Sequence, residues 1–163
     1  MNIIIYPSLN LREKSKKIND LSEQKIKDFS KELLITMKAK DGLGLAAVQI
    51  GQNLKMIAIN TKTGDQIFIN PKITLVSFFK KELGEEGCLS VPGVFGMVKR
   101  YKKVKIKYYN LAGEKIKIWT AGLLARVFQH EIDHTKGILF IDRVKKITRG
   151  RENLEKLRNN VKS

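Results

Sequence analysis

The sequence predicts an α+β fold in which antiparallel β-sheets surround one central helix. Three patterns favour this class: an amphipathic helix near the N-terminus, several short alternating apolar segments joined by turns, and a second helical pattern after residue 120. The chain has 163 residues, enough for one core, and contains no repeat or flexible linker. We therefore expect a single domain over residues 1–163, with residues 145–163 forming a basic C-terminal tail or short helix.

The first helix is predicted from Asp20 to about Gly42. Asp20 and Glu23 have capping-box spacing at its start, and Gly42 is typical of a helix end. Apolar residues then recur at helical spacing, namely Ile26, Phe29, Leu33 and Met37. This pattern predicts an amphipathic helix with one buried face.

Alternating apolar residues predict the strands. The segments "KMIAIN" and "QIFINPKITLVSF" are separated by the turn-like "TKTGD", and "VKIKYYNLAGEKIKIW" has the pattern of a half-buried hairpin. The N-terminal "MNIIIYPSLNLREKSKK" is expected to form an edge strand followed by a turn. Its apolar run is too short for a signal peptide or a membrane span, so we expect the mature chain to begin near Met1 and to have no membrane partner.

The second helix places both histidines of the chain on one stripe. Four residues at helical spacing define its inward face, namely Leu123, Val127, His130 and His134. Gly137 is typical of the residue that follows a helix.

The composition is strongly basic and poor in cysteine. Thirty-two Lys and Arg against sixteen Asp and Glu give a net charge of +16, which attracts polyanions such as RNA, although solvated lysines alone also account for it. The single cysteine, Cys88, excludes an internal disulfide and favours a reducing cytoplasm.

The stretch "HEIDH" predicts a metal site. Residues i and i+4 share one side of a helix, so His130 and His134 can point at one ion, while Glu131 is placed to act as general base on metal-bound water. A pair of ordinary core histidines is the structural alternative.

A catalytic site of this kind needs a third ligand, and two sources are open. Cys88, in "GEEGCLSVPG", is the better candidate because Cys with two His is a known catalytic ligand set. Glu152 and Glu155 are the alternative and would make the chain a small metallopeptidase, but they lie in a charged run typical of solvated surface. No third histidine exists in the sequence.

A third stretch, "DGLGLAAVQIG", is weaker evidence alone. Gly42 and Gly44 allow close backbone approach, and Gln49 supplies an amide that can donate to a developing oxyanion. Plain turn chemistry explains the glycines equally well.

Taken together, "GLGLAAVQ", "EGCLS" and "QHEIDH" resemble, in this order, the three signature motifs of the peptide deformylase family, and the similarity runs from about residue 3 to residue 143. The resemblance implies an enzyme that removes the formyl group from the initiator methionine of new polypeptides, in a bacterial cytoplasm or a bacteria-derived organelle.

The resemblance also implies a role for each motif residue. Cys88, His130 and His134 would bind one divalent metal, natively Fe²⁺, with Zn²⁺, Ni²⁺ or Co²⁺ as possible occupants. Glu131 would take and return the proton of the attacking water. Gln49 and the backbone N–H of Leu89 would stabilise the tetrahedral oxyanion.

The substrate would bind beside these residues. The backbone at Gly44 would pair with the peptide as an added strand, and Leu43, Leu123 and Val127 would line the methionine pocket. The chain departs from the family pattern at Thr135, often leucine, and at Phe95, where some members have arginine.

A different class of protein is also open: a basic RNA-binding or ribosome-binding module with a structural metal. The net charge of +16 favours it, but we find neither an aromatic-rich platform nor a second cysteine pair in the sequence. Both ideas are compatible if a deformylase contacts the ribosome through its basic surface or tail.

Overall fold

The structure is a computed structural model that describes residues 1–77 and 80–159. Its helices are α1 (Gln24–Ala39), α2 (Gly122–His134) and α3 (Arg151–Asn159). Its strands are β1 (Gly44–Ala46), β2 (Met56–Thr61), β3 (Gly64–Val76), β4 (Lys81–Cys88), β5 (Val91–Tyr101), β6 (Lys103–Tyr109), β7 (Lys115–Ala121) and β8 (Val144–Arg149). All strand pairs are antiparallel, in a five-stranded sheet of order β1-β2-β3-β6-β7 and a three-stranded sheet of order β4-β5-β8. The predicted α+β class is therefore confirmed.

The two long helices cover opposite faces of the five-stranded sheet. Ile26, Leu33 and Met37 of α1 pack on one face with Ile69 of β3. On the other face, a second cluster joins α2 to the sheet through Phe128, Ile132, Ile57, Phe68, Val104 and Ile106. The smaller sheet, with α3, encloses a third cluster. The helix α2 thus lies at the centre of the fold, as predicted.

The first helix begins later than the sequence predicts. It starts at Gln24 rather than Asp20, and the predicted capping box is absent, because Glu23 makes no side-chain cap. Asp20 instead accepts hydrogen bonds from the backbone and the hydroxyl of Ser22, at 2.8 and 2.6 Å. This local turn satisfies the carboxylate before the helix begins.

The predicted β2–β3 and β6–β7 hairpins are present. Residues 78 and 79, at the end of the predicted "QIFINPKITLVSF" strand and just after it, lie outside the described residues. The expected N-terminal edge strand is wrong. The Ile4 N–H donates to the carbonyl of Gln49 at 2.7 Å and the Tyr6 N–H to that of Ser90 at 2.8 Å, so this segment connects a short 3-10 helix to the turn between β4 and β5 instead of extending a sheet.

The C-terminal region is only partly the predicted tail. Residues 144–149 form β8, which pairs with β5, and α3 follows it with Leu154 buried. Residues 160–163 of the predicted tail lie outside the described residues. Within the described part of the chain, no helix is long and apolar enough to cross a membrane.

Candidate metal centre and active site

Helix α2 presents both histidines to one point. His130 and His134 are buried, and their Nε2 atoms lie 3.2 Å apart. The helix ends at His134, and Gly137 follows with φ +73°, as predicted. A Cβ at Gly137 would lie 2.2 Å from the Arg12 carbonyl oxygen, so glycine is needed for this close approach as well as for the turn.

The end of β4 brings Cys88 to the same point. Its Sγ lies 3.3 Å from His134 Nε2, and the ligand atoms of Cys88, His130 and His134 all lie within 4.8 Å of one another. Glu152 and Glu155 are exposed on α3 and do not belong to this group. The structure therefore favours Cys88 over either glutamate as the third ligand.

The chemistry of these donors fits a divalent metal. His130 Nδ1 lies 3.0 Å from a carboxylate oxygen of Glu86, which can only accept, so Nδ1 carries a proton and Nε2 is the atom left to face a metal. Burial lowers the pKa of His130, but hydrogen bonds with Cys88 and Glu86 outweigh it and hold this pKa well above its usual value, so a metal that binds Nε2 would displace a proton. Burial, together with the positive charge on His130, lowers the pKa of His134 well below its usual value, so the His134 imidazole is neutral. Two imidazole nitrogens and one thiol that converge on one point match a zinc-type or iron-type ligand set.

Glu86 orients the His130 ring through Nδ1, while Nε2 of the same ring faces His134. Its carboxylate accepts hydrogen bonds from Arg100 Nε at 2.9 Å and from an Arg126 nitrogen at 2.8 Å. Burial raises the pKa of Glu86, but hydrogen bonds from His130 and Arg100 outweigh it and hold this pKa well below the usual range. Arg126 reaches the carboxylate across β4 because Gly84 has no side chain; a Cβ there would lie 2.6 Å from the guanidinium.

Asp133 extends this buried ionic network. It accepts from Arg100 and, at 2.6 Å, from Arg143 Nε. Sequence reasoning missed Glu86, Arg100 and Asp133. One signal was available: Arg126 lies one turn before His130 on the inward side of α2, and a buried arginine requires an anionic partner.

Glu131 lies between the histidines and the edge strand β1. It is 4% exposed, and its Oε2 has no hydrogen-bond partner among the described residues. Burial raises the pKa of Glu131 to about 7. A Cβ at Gly44 would lie 2.6 Å from Glu131 Oε1 and 2.7 Å from its Cγ, so glycine provides the space that the carboxylate occupies.

Gln49 lies in the short 3-10 helix Ala47–Ile50 that follows β1. Its Oε1 accepts the Ala46 N–H at 2.8 Å, which fixes the amide so that Nε2 points to Ser90 Oγ at 3.1 Å and to Cys88 Sγ at 3.6 Å. Leu89 directly follows Cys88, and its backbone N–H makes no hydrogen bond with another described residue. Two N–H donors therefore lie beside the thiol.

A cleft of about 540 Å³ opens over these groups. Its walls include all four residues predicted to bind substrate, namely Leu43, Gly44, Leu123 and Val127. Leu43 and Leu123 are 53% and 64% exposed, because they line an open cleft and not the core. Among residues 1–77 and 80–159, β1 is paired on one side, with β2, and no strand lies on its other side.

The two departures from the family pattern have different settings. Thr135 is buried, and its hydroxyl donates to the Ile132 carbonyl at 2.8 Å, which satisfies the polar group next to His134. Phe95 lines the cleft, with the Arg149 guanidinium 4.1 Å from its ring centroid. Arg149 thus supplies a cation near the position where some family members have arginine.

Two imidazoles, a thiol and a buried carboxylate around one cleft define the class of metal-dependent hydrolases. The model of the polypeptide deformylase family matches residues 1–150 of the chain. The chain belongs to that family.

Individual members of the family are similar to the chain over most of its length. The chain is 41% identical over 151 residues to the peptide deformylase of Desulforudis audaxviator, covering 92% of this chain and 97% of the relative. It is 47% identical over 139 residues to that of Carboxydothermus hydrogenoformans, covering 85% and 90%. The crystal structure of the Thermotoga maritima peptide deformylase matches with a TM-score of 0.85 and 36% identity, covering 89% of this chain and 97% of that one. The chain is therefore similar to these enzymes over nearly their full length.

Proposed function

We propose that the chain removes the N-formyl group from the initiator methionine of newly made polypeptides and releases formate. The observation that carries this proposal is the convergence of three ligand atoms with a buried carboxylate under an open edge strand. The other partner of the reaction is water, and the products are formate and a free amino terminus. Residues 1–163 would act as one catalytic domain.

Cys88, His130 and His134 would hold one divalent ion. When bound, the ion supplies a Lewis acid that polarises the formyl carbonyl and lowers the pKa of water. We propose Fe²⁺ as the native metal, from the family resemblance, with Zn²⁺, Ni²⁺ or Co²⁺ as alternatives that suit the same imidazole and thiolate donors. Metal analysis of protein prepared without oxygen checks this choice.

Glu131 would move the proton. Its unpartnered Oε2 accepts the proton of the attacking water, and the same atom then donates it to the amide nitrogen of methionine as the C–N bond breaks. Gly44 leaves the space that the carboxylate occupies during both steps.

Gln49 and Leu89 would stabilise the oxyanion. The Gln49 amide is fixed by Ala46, so its Nε2 donor is already oriented before the substrate arrives. The unpaired backbone N–H of Leu89 provides the second donor.

The peptide would bind along β1. An extended substrate can pair with the free side of the strand at Gly44, which adds one strand to the sheet. The exposed apolar side chains of Leu43 and Leu123, with Val127, then contact the methionine side chain and exclude water from it.

The place of action follows from the substrate. We propose the cytoplasm of a bacterium or a bacteria-derived organelle, where formylated nascent chains leave ribosomes; the bacterial relatives support this assignment. We also propose that the ribosome is a partner, contacted through the basic surface or the tail.

The test is formate release from a formyl-methionyl peptide, with protein loaded with Fe²⁺ without oxygen. We expect release that stops on chelation and returns on reloading. Metal-loaded, folded protein that releases no formate would refute the proposal.

Two matched substitutions separate the enzyme alternatives. Glu131→Gln should keep the metal and lose formate release by about 100-fold or more. Glu155→Gln, on an exposed glutamate of α3, should change neither. If Glu155→Gln lost metal while Cys88→Ala kept both metal and activity, the metallopeptidase alternative would be correct.

A further inference from the structure

The outer face of the β6–β7 hairpin carries a concentration of lysine. Along β6, Val104, Ile106 and Tyr108 point to the α2 side and are buried, so the alternate positions point to the other side. Six lysines occupy this outer face and the adjoining end of β3: Lys72, Lys103, Lys105, Lys107, Lys115 and Lys117, here called the lysine face. Helix α1 packs on the same side of the sheet but over β1, β2 and β3, and Tyr109 marks the border of its contacts.

The strand register sets like charges opposite one another. Lys107 is paired directly with Lys72 on β3 and with Lys117 on β7. Like charges at directly opposed positions destabilise a sheet. In the described part of the chain, Lys25, Lys31 and Lys102 make the lysine ion pairs, so no carboxylate neutralises the lysine face.

Protection of a sheet edge does not explain this arrangement. Lysines on an edge strand prevent pairing with another chain, and this accounts for Lys115 and Lys117 on β7. The three lysines of β6 lie on a strand that is paired on both sides, where no such protection is needed.

An aromatic side chain lies within the lysine face. Trp119 is paired with Lys105 across the hairpin and is 46% exposed. The ammonium groups of Lys103 and Lys105 lie 5.0 and 5.9 Å from the centre of its ring. Cations around an exposed flat ring are the features that bind single-stranded RNA without sequence preference.

We propose that the lysine face binds RNA, with the lysines on the phosphates and Trp119 stacked on a base. The inference deepens the partner part of the proposed function, on which it rests, because it assigns the contact with ribosomal RNA to this surface. The catalytic part is independent, since the metal centre lies on the opposite side of the sheet, at α2.

The test uses Trp119 as its own reporter, because it is the only tryptophan in the chain. The full-length protein is titrated with a uridine RNA oligomer of about 12 nucleotides, and tryptophan fluorescence is followed at several salt concentrations. We expect saturable quenching whose affinity falls steeply with salt. The absence of quenching and of binding at low salt would overturn the proposal.

A triple variant tests the lysines themselves. Lys105→Gln, Lys107→Gln and Lys117→Gln together should weaken binding about tenfold or more and reduce the slope of log affinity against log salt by about two. The matched control is Lys38→Gln, Lys40→Gln and Lys62→Gln, which removes the same charge from exposed positions near β1 and β2, at the other end of the sheet. The control should bind RNA within about twofold of the parent protein.

Each remaining outcome is decisive. Equal losses in the two triple variants would show a general effect of net charge and overturn the proposal. Quenching by phosphatidylserine vesicles without quenching by RNA would identify a membrane surface and also overturn it. Both triple variants should release formate normally, so a failure of RNA binding is separate from a failure of catalysis.

Discussion

Substituting Gly44 by alanine should damage catalysis while leaving the metal ligands in place. Gly44 has no positive φ, so alanine fits the backbone of β1 without strain. Its Cβ, however, would lie 2.6 Å from Oε1, 2.9 Å from Cδ and 2.7 Å from Cγ of Glu131. Rotation of the carboxylate alone cannot relieve contacts with all three atoms.

The size of the effect follows from these distances. To restore ordinary contact at 3.4 Å, the end of the Glu131 side chain must move by about 0.8 Å. Glu131 is 4% exposed, so its neighbours limit that movement. Displacement of a catalytic group by about 1 Å can cost about 100-fold in rate, or roughly 2.7 kcal/mol in the activation barrier.

The assay is kcat/KM for formate release from a formyl-methionyl peptide, with bound metal measured in the same samples. Gly42→Ala is the control, because its nearest contacts, at 3.2 Å, are with the Gly44 carbonyl oxygen and Leu89 and not with Glu131. We expect the control to stay within about threefold of the parent enzyme. If Gly44→Ala also stayed within that range with metal bound, the position of Glu131 would not limit the reaction and the proposed proton transfer would be wrong.

Three further changes test the site from other directions. Glu86→Ala leaves Arg126 without a buried anion and Arg100 with Asp133 alone, and it should lower the free energy of unfolding by about 3 to 5 kcal/mol, measured by denaturant titration. Metal affinity should also fall about 10- to 100-fold, because His130 loses its orienting partner. An unchanged unfolding midpoint would contradict the network. Gln49→Ala removes one oxyanion donor and should reduce kcat about 100- to 1,000-fold with little change in metal content. If the variant lost its metal instead, Gln49 would have a structural role beside Cys88. Chelation of the metal should abolish formate release and lower the melting temperature, and reloading the metal should restore the activity and the melting temperature. Formate release that persists after complete metal removal, checked by elemental analysis, would exclude metal-dependent hydrolysis.

The parts of the structure that the sequence predicts are those with local signals. The i, i+4 spacing of His130 and His134 already places both on one helix face, and the alternation of Val104 and Ile106 with lysines already defines a hairpin. Placing Cys88 with the histidines required more than local spacing, since β4 and α2 meet only in the folded chain; the likeness to a known family supplied that step.

The parts that sequence reasoning missed depend on distant pairing. Glu86, Arg100 and Asp133 come from three elements, and nothing in their neighbouring residues says that they meet. Strand β8 was missed for a related reason: its segment is polar and half exposed, and only pairing with β5 makes it a strand. The helix start was misplaced because Asp20 has two local uses, a capping box or a turn with Ser22, and the sequence pattern fits both.

The two faces of the β6–β7 hairpin connect these observations. Its inner residues Val104 and Ile106 pack against α2 and so help to fix the helix that carries the metal ligands. Its outer lysines and Trp119 take no part in that packing. Because side chains on a strand alternate between faces, the charge of the outer face can change without moving His130 or His134. The same short hairpin can therefore support the active site on one side and bind a polyanion on the other, and each can be altered without the other.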